Sequence, residues 1–179
     1  MQIICKKTDL LNSVNIALRA VSSKTTLPIL ECIVITAEDG IIKLIANNQE
    51  LGIETIVKGT IVESGAIAIN AKLFAEIIRK LPDNDVTFTS DANFTALIQC
   101  EKAKFNLIGK SHEEFPMLPH IEKNKPVHIT DFALKEIIQQ TIFSVSDNES
   151  NKIMTGELFE IKGDTFKVVS LDGHRISIR

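Results

Sequence analysis

The sequence predicts an α+β fold built from tandem copies of one domain, with helices on one face of antiparallel sheets. Three observations predict it. Short β-rich runs alternate with amphipathic helical patterns, and the order of these elements recurs along the chain. The composition, with 44% hydrophobic and 24% charged residues, is that of an ordinary globular protein.

The first predicted element is a helix capped by Thr8 or Asp9, because apolar residues then recur at helical spacing through residue 21. Its other face is polar and carries Arg19. An extended loop containing Lys24 and Pro28 follows. The following segments alternate between apolar and polar residues or are rich in β-branched residues, so they predict strands. A turn is expected at residues 38–40. These strands are 33–36, 41–46, 54–57, 59–62 and 66–69.

Residues 71–81 predict a second amphipathic helix, which ends at Pro82. The apolar stripe expected to be buried comprises Leu73, Phe74, Ile77, Ile78 and Leu81. The outer face carries Lys72, Glu76, Arg79 and Lys80 and so leans basic, although Glu76 weakens the pattern. Further strands are expected at 86–89, 96–100 and 105–108.

Residues 112–126 contain three of the five prolines, which is typical of a linker. We therefore expect one domain over residues 1–122 and the first part of a second over 123–179. In the second, the pattern predicts a strand at 127–129, a helix at 131–145, strands at 157–161 and 165–170, and strand-like alternation over 171–179.

The two domains are predicted to be copies of one fold. A shift of 124 residues places Leu10 on Leu134, Ile42 on Phe166 and Asn48 on Asp172 without a gap. The second copy has no counterpart of residues 56–120. The sequence thus leads us to expect a truncated second repeat with unpaired sheet edges.

Charge and composition narrow the function classes. The net charge of −3 argues against a general positive field for nucleic acid or anionic membranes. No signal peptide opens the chain and no run is long enough to span a membrane, so a cytoplasmic protein is expected. Cys5, Cys32 and Cys100 are widely spaced. They could form a disulfide or a metal site. The favoured interpretation is that they are buried thiols in a reducing compartment.

Asp172-Gly173-His174-Arg175 is the most conspicuous tetrapeptide. His174 could act as a base oriented by Asp172, with Arg175 binding an anion, which would suit a small metal- or His-dependent phosphoesterase or nuclease. Asp-Gly is also a turn signal between strands, and a turn or binding rim is the favoured interpretation. The histidines at 112, 120 and 128 straddle the linker and favour no metal site. No enzyme motif is present, and no cofactor is expected.

The helices share a polar-to-basic outer face. Its cations are Arg19, Lys72, Arg79, Lys80 and Lys135. Solvation alone would explain such a face on any one helix. Three helices with similar faces in a repeated fold could instead attract a phosphate backbone without reading bases.

Six short motifs in order resemble the bacterial sliding clamp family, the DNA polymerase III beta subunit, over the entire chain. They are Thr26–Leu30, Ala71–Phe74 through Leu81-Pro82, Glu114–Leu118, Thr141–Val145, Gly156–Glu160 and Asp172–Arg175. The resemblance implies the DNA-clamp, or processivity, fold. Three such domains per subunit and two subunits head to tail would then form a ring around duplex DNA, with helices lining the hole.

The implied function is a processivity factor without catalysis of its own. The implied partners are encircled double-stranded DNA, bound without sequence preference, the replicative DNA polymerase, the clamp loader and other proteins carrying a clamp-binding motif. A homodimer is implied for the full-length protein, with no membrane and no cofactor. The remainder of the second domain and the whole third domain would be absent here.

The resemblance also assigns roles to residues. Lys24 and, by the repeat, Asn148 fall on DNA-contacting positions, beside the helix-face cations Arg19, Arg79 and Lys80. Aromatic contacts expected after Asn148 are replaced by Lys152 and Ile153. The partner-peptide pocket maps onto Met154, Leu171, Gly173, His174, Arg175 and Ile176. Leu73, Phe105 and Leu107 fall on subunit-interface positions, with ordinary core packing as the open alternative.

Overall fold

The computed structural model describes residues 1–22, 25–116, 118, 119, 122, 126–148 and 150–179. The chain divides into two compact units, Met1–His120 and Ile121–Arg179. Each unit is described by itself.

The first unit contains two antiparallel sheets and two α-helices. One sheet has the strand order β5-β1-β7-β8-β9 and the other β4-β3-β2-β6. The strands are β1 (Gln2–Lys6), β2 (Cys32–Glu38), β3 (Ile41–Asn47), β4 (Gly52–Val57), β5 (Gly59–Glu63), β6 (Gly65–Asn70), β7 (Asp85–Ser90), β8 (Thr95–Cys100) and β9 (Ala103–Ile108). The helices are α1 (Lys7–Ala17), which continues as a 3₁₀ turn Leu18–Ala20, and α2 (Ala71–Lys80).

Both helices pack against the sheets and close one continuous core. Helix α1 contacts β3 and β4, and α2 contacts β2 and β6. The rings of Phe74 and Phe88 meet edge to face with centroids 5.9 Å apart. Such a pair adds about 0.5–1.5 kcal/mol to the burial of its area. The expectation of helices on one face of antiparallel sheets is confirmed here.

The prediction that Leu73 is a core residue is wrong, because its side chain is 47% exposed. The buried stripe of α2 instead includes Ala71 and Ala75. The small side chains of these alanines let the helix approach the sheet closely, and Leu73 lies at the edge of the contact.

The predicted cap of the first helix is also wrong. Helix α1 begins at Lys7, and the preceding Lys6 is extended and makes no side-chain cap bond. Strand β1, which the sequence analysis did not predict, leads straight into the helix. The Lys7 N–H donates to the carbonyl of Asn84 at 3.1 Å. A tertiary bond thus satisfies one of the N–H donors that have no partner within the helix.

The second unit repeats several elements of the first at a constant spacing of 124 residues. It contains α3 (Asp131–Thr141), a 3₁₀ turn Ile142–Ser144, and the antiparallel sheet β10-β11-β12. The strands are β10 (Leu158–Lys162), β11 (Thr165–Leu171) and β12 (Ile176–Ile178). Helix α3, its 3₁₀ turn and β11 begin and end 124 residues after α1, its turn and β3. The pairing Val34–Ile45 recurs as Leu158–Val169. The predicted repeat is confirmed.

The strand predicted at residues 127–129 is absent, since residues 126–130 form no strand. These positions are the counterpart of β1, which lies between β5 and β7 in the first unit. The described residues of the second unit contain no counterpart of either flanking strand. Without partners for its N–H and C=O groups, the segment cannot join a sheet.

Two other elements of the second unit are shorter than expected. Helix α3 ends at Thr141 rather than continuing to residue 145, because a 3₁₀ turn follows it. The alternating run after residue 171 forms a strand only at Ile176–Ile178, because residues 172–175 form a turn.

The second unit exposes much apolar surface. Among the described residues of this unit, Val168 is the one apolar residue that is fully buried. Its other buried groups are polar and hydrogen-bonded: Ser170 Oγ donates to the carbonyl of Thr141, and the Thr141 hydroxyl donates to Glu157 at 2.6 Å. The exposed apolar residues include Phe132, Ile142, Phe143, Ile153, Leu158, Phe159, Ile161, Ile176 and Ile178.

Cys5, Cys32 and Cys100 are buried and unpaired, as the favoured interpretation expects. Burial raises the pKa of the Cys5 thiol to about 12, with smaller contributions from Asp9 and Asp85. The thiol is therefore protonated and unreactive at neutral pH. Among the helices that the structure describes, none is long and apolar enough to cross a membrane.

Candidate functional site

The tetrapeptide Asp172–Arg175 forms a hydrogen-bonded turn between β11 and β12. The Asp172 carboxylate accepts from the backbone N–H of His174 at 2.9 Å and of Arg175 at 3.0 Å. Its second oxygen accepts from Arg175 Nε at 2.8 Å. The bond from the His174 N–H is the main cause that lowers the pKa of Asp172, and the bonds from Arg175 add to it. Gly173 has φ +89°, a conformation that favours glycine.

The first unit contains the same turn at the corresponding positions. Asn48 Oδ1 accepts from the N–H groups of Glu50 and Leu51 at 3.0 and 2.7 Å, and Gln49 has φ +74°. This duplication without the Asp, His or Arg side chains shows that the backbone fold of the turn is a property of the repeat. Asp172 is therefore first of all a turn residue.

The catalytic alternative gains no support from this geometry. The Asp172 oxygens contact backbone groups and Arg175, and the bond to His174 goes to its backbone N–H rather than its ring. Asp172 therefore does not orient an imidazole for base catalysis. Among the described residues, no three His, Cys, Asp or Glu side chains come together as a metal site.

Beside the turn lies an open cleft of about 370 Å³. Its lining combines the apolar side chains of Val145 and Met154 with polar groups and Arg175. The lining residues are Val145, Ser146, Asp147, Asn148, Ser150, Asn151, Met154, Asp172, His174 and Arg175. The structure thus brings Met154, His174 and Arg175 of the predicted pocket together.

The other three predicted pocket residues lie next to this cleft rather than in its wall. Leu171 and Ile176 face each other across the β11–β12 pairing, and Gly173 forms the tip of the turn. Ile176 is exposed and Leu171 is half-buried. The cleft and this apolar strand pair form one continuous candidate surface, which we call the pocket surface (Met154, Leu171 and residues 173–176).

Arg175 is fixed at the rim by two contacts. It forms an ion pair with Asp172, and its guanidinium carbon lies 5.8 Å from the centroid of the Phe143 ring. A cation over an aromatic face is attracted by the ring quadrupole. A guanidinium held in one position is suited to donate hydrogen bonds to peptide carbonyl or carboxylate oxygens.

The predicted DNA-contacting residues fall in different places. Arg79 Nη2 donates to Asn15 Oδ1 at 3.0 Å, which joins the exposed faces of α1 and α2. Arg19 and Lys80 are exposed near the ends of these two helices. Asn148 lies in the cleft wall of the second unit. Lys24 lies outside the described residues.

The predicted subunit-interface residues differ in their exposure. Leu73 and Phe105 are 47% and 38% exposed, whereas Leu107 is 8% exposed and belongs to the core. Its neighbour Ile108 is 88% exposed, and the sequence analysis missed it as a candidate. The alternation along β9, in which Leu107 points inward, was the signal that could have found it.

The cleft residues Val145, Ser150 and Asn151 were likewise missed. They lie in the loop after α3, whose counterpart in the first unit follows α1. Only the turn motif and Met154 carried a recognisable pattern, so the loop escaped notice. Matching the two loops through the 124-residue repeat would have identified them.

Comparison with known proteins gives a consistent result. The family model for the DNA polymerase III beta subunit, N-terminal domain, matches residues 1–119, and that for the central domain matches residues 128–179. The beta sliding clamp of Bacillus subtilis (strain 168) is 34% identical over 187 residues, covering 100% of this chain and 50% of that protein.

Solved structures agree. A chain from Eubacterium rectale assigned as a DNA polymerase III beta subunit has a TM-score of 0.94 and 59% identity, covering 100% of this chain and 49% of that one. A sliding clamp from Bartonella birtlesii bound to griselimycin has a TM-score of 0.90 and 27% identity, over 99% and 49%. The chain therefore spans about half the length of these relatives.

Proposed function

The chain belongs to the DNA polymerase III beta subunit family, and on that premise we propose that it forms part of a cytoplasmic sliding clamp. Such a clamp encircles duplex DNA and tethers the replicative polymerase, so that it acts as a processivity factor in DNA replication. One observation carries the proposal beyond the family match. Helices α1 and α2 contact each other, and their exposed faces, which carry Asn15, Arg19, Lys72, Arg79 and Lys80 beside Glu76, are joined where Arg79 donates to Asn15.

That face suits DNA that is held loosely. Its groups are exposed, and Arg79 is shared with Asn15, so each phosphate contact is individually weak. Sequence-independent contacts of this kind allow sliding. Retention would come from the closed ring, which explains how a protein with a net charge of −3 can act on DNA. Within this proposal, Arg19, Arg79, Lys80, Lys24 and Asn148 contact the DNA backbone.

The pocket surface is the proposed partner site, for the polymerase, the clamp loader and other proteins with a suitable motif. Met154 in the cleft, the adjacent apolar pair Leu171 and Ile176, and Arg175 at the rim suit a short linear peptide with apolar anchors. The protein performs no catalysis in this account and needs no cofactor.

Ring closure requires a second subunit. The exposed apolar side chains Leu73 and Phe105 are proposed as contacts to the partner subunit, and Ile108, on the other face of β9, is a further exposed candidate. Leu107 would support that surface from the core rather than touch the partner.

The test of the partner site is peptide affinity. We expect Arg175→Ala and Met154→Ala each to weaken binding of a fluorescent peptide from the replicative polymerase of the same genome by about tenfold, or about 1.4 kcal/mol. Lys162→Ala, which removes a cation outside the cleft and paired with Glu160, is the matched control. Unchanged affinity in both cleft variants would sink the assignment of the pocket surface.

A further inference from the structure

The contact between Phe143 and Arg175 is specific to the second unit, although both positions exist in the first. Their counterparts 124 residues earlier are Arg19 and Leu51. Arg19 lies in the 3₁₀ turn after α1, as Phe143 lies in the turn after α3, and Leu51 lies in the turn before β4. The cationic and the apolar side chain have therefore exchanged places between the two repeats.

These two positions lie at the surface even in a unit that has both of its sheets. The first unit contains both, and Arg19 and Leu51 are exposed there. The place of Phe143 and Arg175 at the surface is thus a property of the repeat. It is independent of the strands that have no counterpart among the described residues of the second unit.

Buried hydroxyl groups fix the 3₁₀ turn of Phe143 to the sheet. Ser144 is fully buried, and its hydroxyl oxygen lies 2.6 Å from that of Ser177 on β12. Three residues earlier, the carbonyl of Thr141 accepts from Ser170 Oγ on β11 at 2.5 Å. These bonds flank Phe143 in sequence, and they join its backbone to the strands on both sides of the cleft turn.

At the same positions, the first unit makes apolar contacts. The counterparts of Thr141, Ser144, Ser170 and Ser177 are Ala17, Ala20, Ala46 and Ile53, which belong to or pack against its apolar core. An apolar contact tolerates small displacements, whereas a satisfied buried hydrogen bond fixes the distance between its two groups. The polar pairs therefore occur in the unit whose 3₁₀ turn places an aromatic ring beside the cleft.

Arg175 keeps its two terminal nitrogens for a ligand. Asp172 binds Nε at 2.8 Å, the Phe143 ring lies against the guanidinium, and neither Nη group hydrogen-bonds to a described residue. An exposed ion pair alone holds an arginine weakly, because the long side chain retains other conformations. A second contact, from a ring whose backbone is fixed, removes some of those conformations. Less side-chain entropy is then lost when Arg175 binds a ligand oxygen.

We propose that Phe143 is a positioning residue of the pocket surface, whose ring holds Arg175 ready to donate to a carbonyl or carboxylate oxygen of the partner peptide. This inference rests on the proposed peptide-binding role of that surface. Phe143 acts through Arg175 and not through a contact of its own with the peptide. The 3₁₀ turn that carries the proposed DNA contact Arg19 in the first unit thus serves the peptide site in the second.

The test is a double-mutant cycle on the protein expressed from the whole gene, with the fluorescent polymerase peptide as the probe. Phe143→Leu removes the aromatic face and keeps an apolar side chain, whereas Phe143→Tyr keeps the face. We expect Phe143→Leu to weaken peptide binding about threefold and Phe143→Tyr to bind as the parent does. In the Arg175→Ala background, Phe143→Leu should cause no further loss, because the group through which it acts is gone.

The matched control is Phe132→Leu, the same change at an exposed phenylalanine of α3 that does not line the cleft, and it should bind as the parent does. A loss from Phe143→Leu that persists in the Arg175→Ala background overturns the inference, since Phe143 would then contact the peptide or merely support the fold. An equal loss in Phe143→Tyr and Phe143→Leu overturns it as well.

A second measurement separates this inference from the proposed function. In the free protein with isotope-labelled arginine, the NMR signal of the Arg175 Nε–H group is assigned by its loss in Arg175→Ala. Because an aromatic ring shifts the resonance of a nearby proton, we expect Phe143→Leu to move this signal and Phe132→Leu to leave it in place.

An unmoved Arg175 signal in Phe143→Leu overturns the inference whatever the peptide does. A moved signal, together with unchanged peptide affinity in Arg175→Ala, would instead contradict the proposed function of the pocket surface and leave the hold of Phe143 on Arg175 established.

Discussion

At the scale of single residues, the repeat separates structural from functional roles. Asn48 and Asp172 make the same turn in the two units, so the side-chain oxygen at this position is required by the fold. Sequence reasoning favoured a turn here on the strength of Asp-Gly. It could not predict which oxygen accepts which N–H, because that depends on the backbone path between β11 and β12.

The turn gives Asp172 a pH-dependent contribution to stability. Hydrogen bonds lower its pKa in the fold, so its contribution is complete above the unfolded pKa of about 3.9 and is lost as pH falls through the folded value. We expect Asp172→Asn to preserve the turn, as Asn48 does in the first unit. Between pH 5 and about pH 2.5, the melting temperature of this variant should fall by less than that of the parent.

The control for this experiment is Asp164→Asn, which makes the same charge change in the exposed turn between β10 and β11. Identical pH profiles for the parent and Asp172→Asn, recorded by circular dichroism, would contradict the assigned role of the carboxylate.

At the scale of elements, helices and most strands were predictable because their apolar periodicity is local. Strand β1 and residues 127–129 were assigned the wrong way round, since the second was predicted as a strand and the first was not. Both have apolar residues at the same two alternate positions, Ile3 and Cys5 in the first and Val127 and Ile129 in the second. The difference is whether β5 and β7 lie alongside, and such pairing over more than fifty residues leaves no local signal.

Helix α2 offers a test of local stabilisation. Its N-cap Asn70 accepts from the Leu73 N–H at 3.0 Å. We expect Asn70→Ala to lower the free energy of unfolding by about 1 kcal/mol, and Asn70→Asp to be nearly neutral. Lys6→Ala is the control, because the residue before α1 makes no cap bond. Urea unfolding followed by circular dichroism measures all three, and equal losses for Ala and Asp at position 70 would contradict the cap.

At the scale of the whole molecule, the two units differ in how well their apolar faces are covered. Strand β2 pairs on both sides, whereas its counterpart β10 pairs only with β11 among the described strands. An open edge beside exposed apolar side chains favours association between copies. The predicted truncated repeat gave this expectation from sequence, but not which residues are exposed.

We therefore expect the 179-residue chain to self-associate as its concentration rises. Leu158→Lys places a charge on the open β10 edge and should shift the weight-average mass towards the monomer mass of 19.8 kDa in light scattering after gel filtration. Val62→Lys, on the exposed edge strand β5 of the first unit, is the matched control. An equal effect of the two substitutions would contradict the role of β10.

We propose that this chain belongs to a ring that retains DNA by enclosing it. Retention of the protein expressed from the whole gene, loaded on nicked circular plasmid and on the same plasmid made linear, tests it most directly. We expect the protein to stay on the circle through gel filtration and to slide off the linear form, with little dependence on salt. Equal retention on both forms, falling steeply with salt, would contradict enclosure and indicate ordinary electrostatic binding.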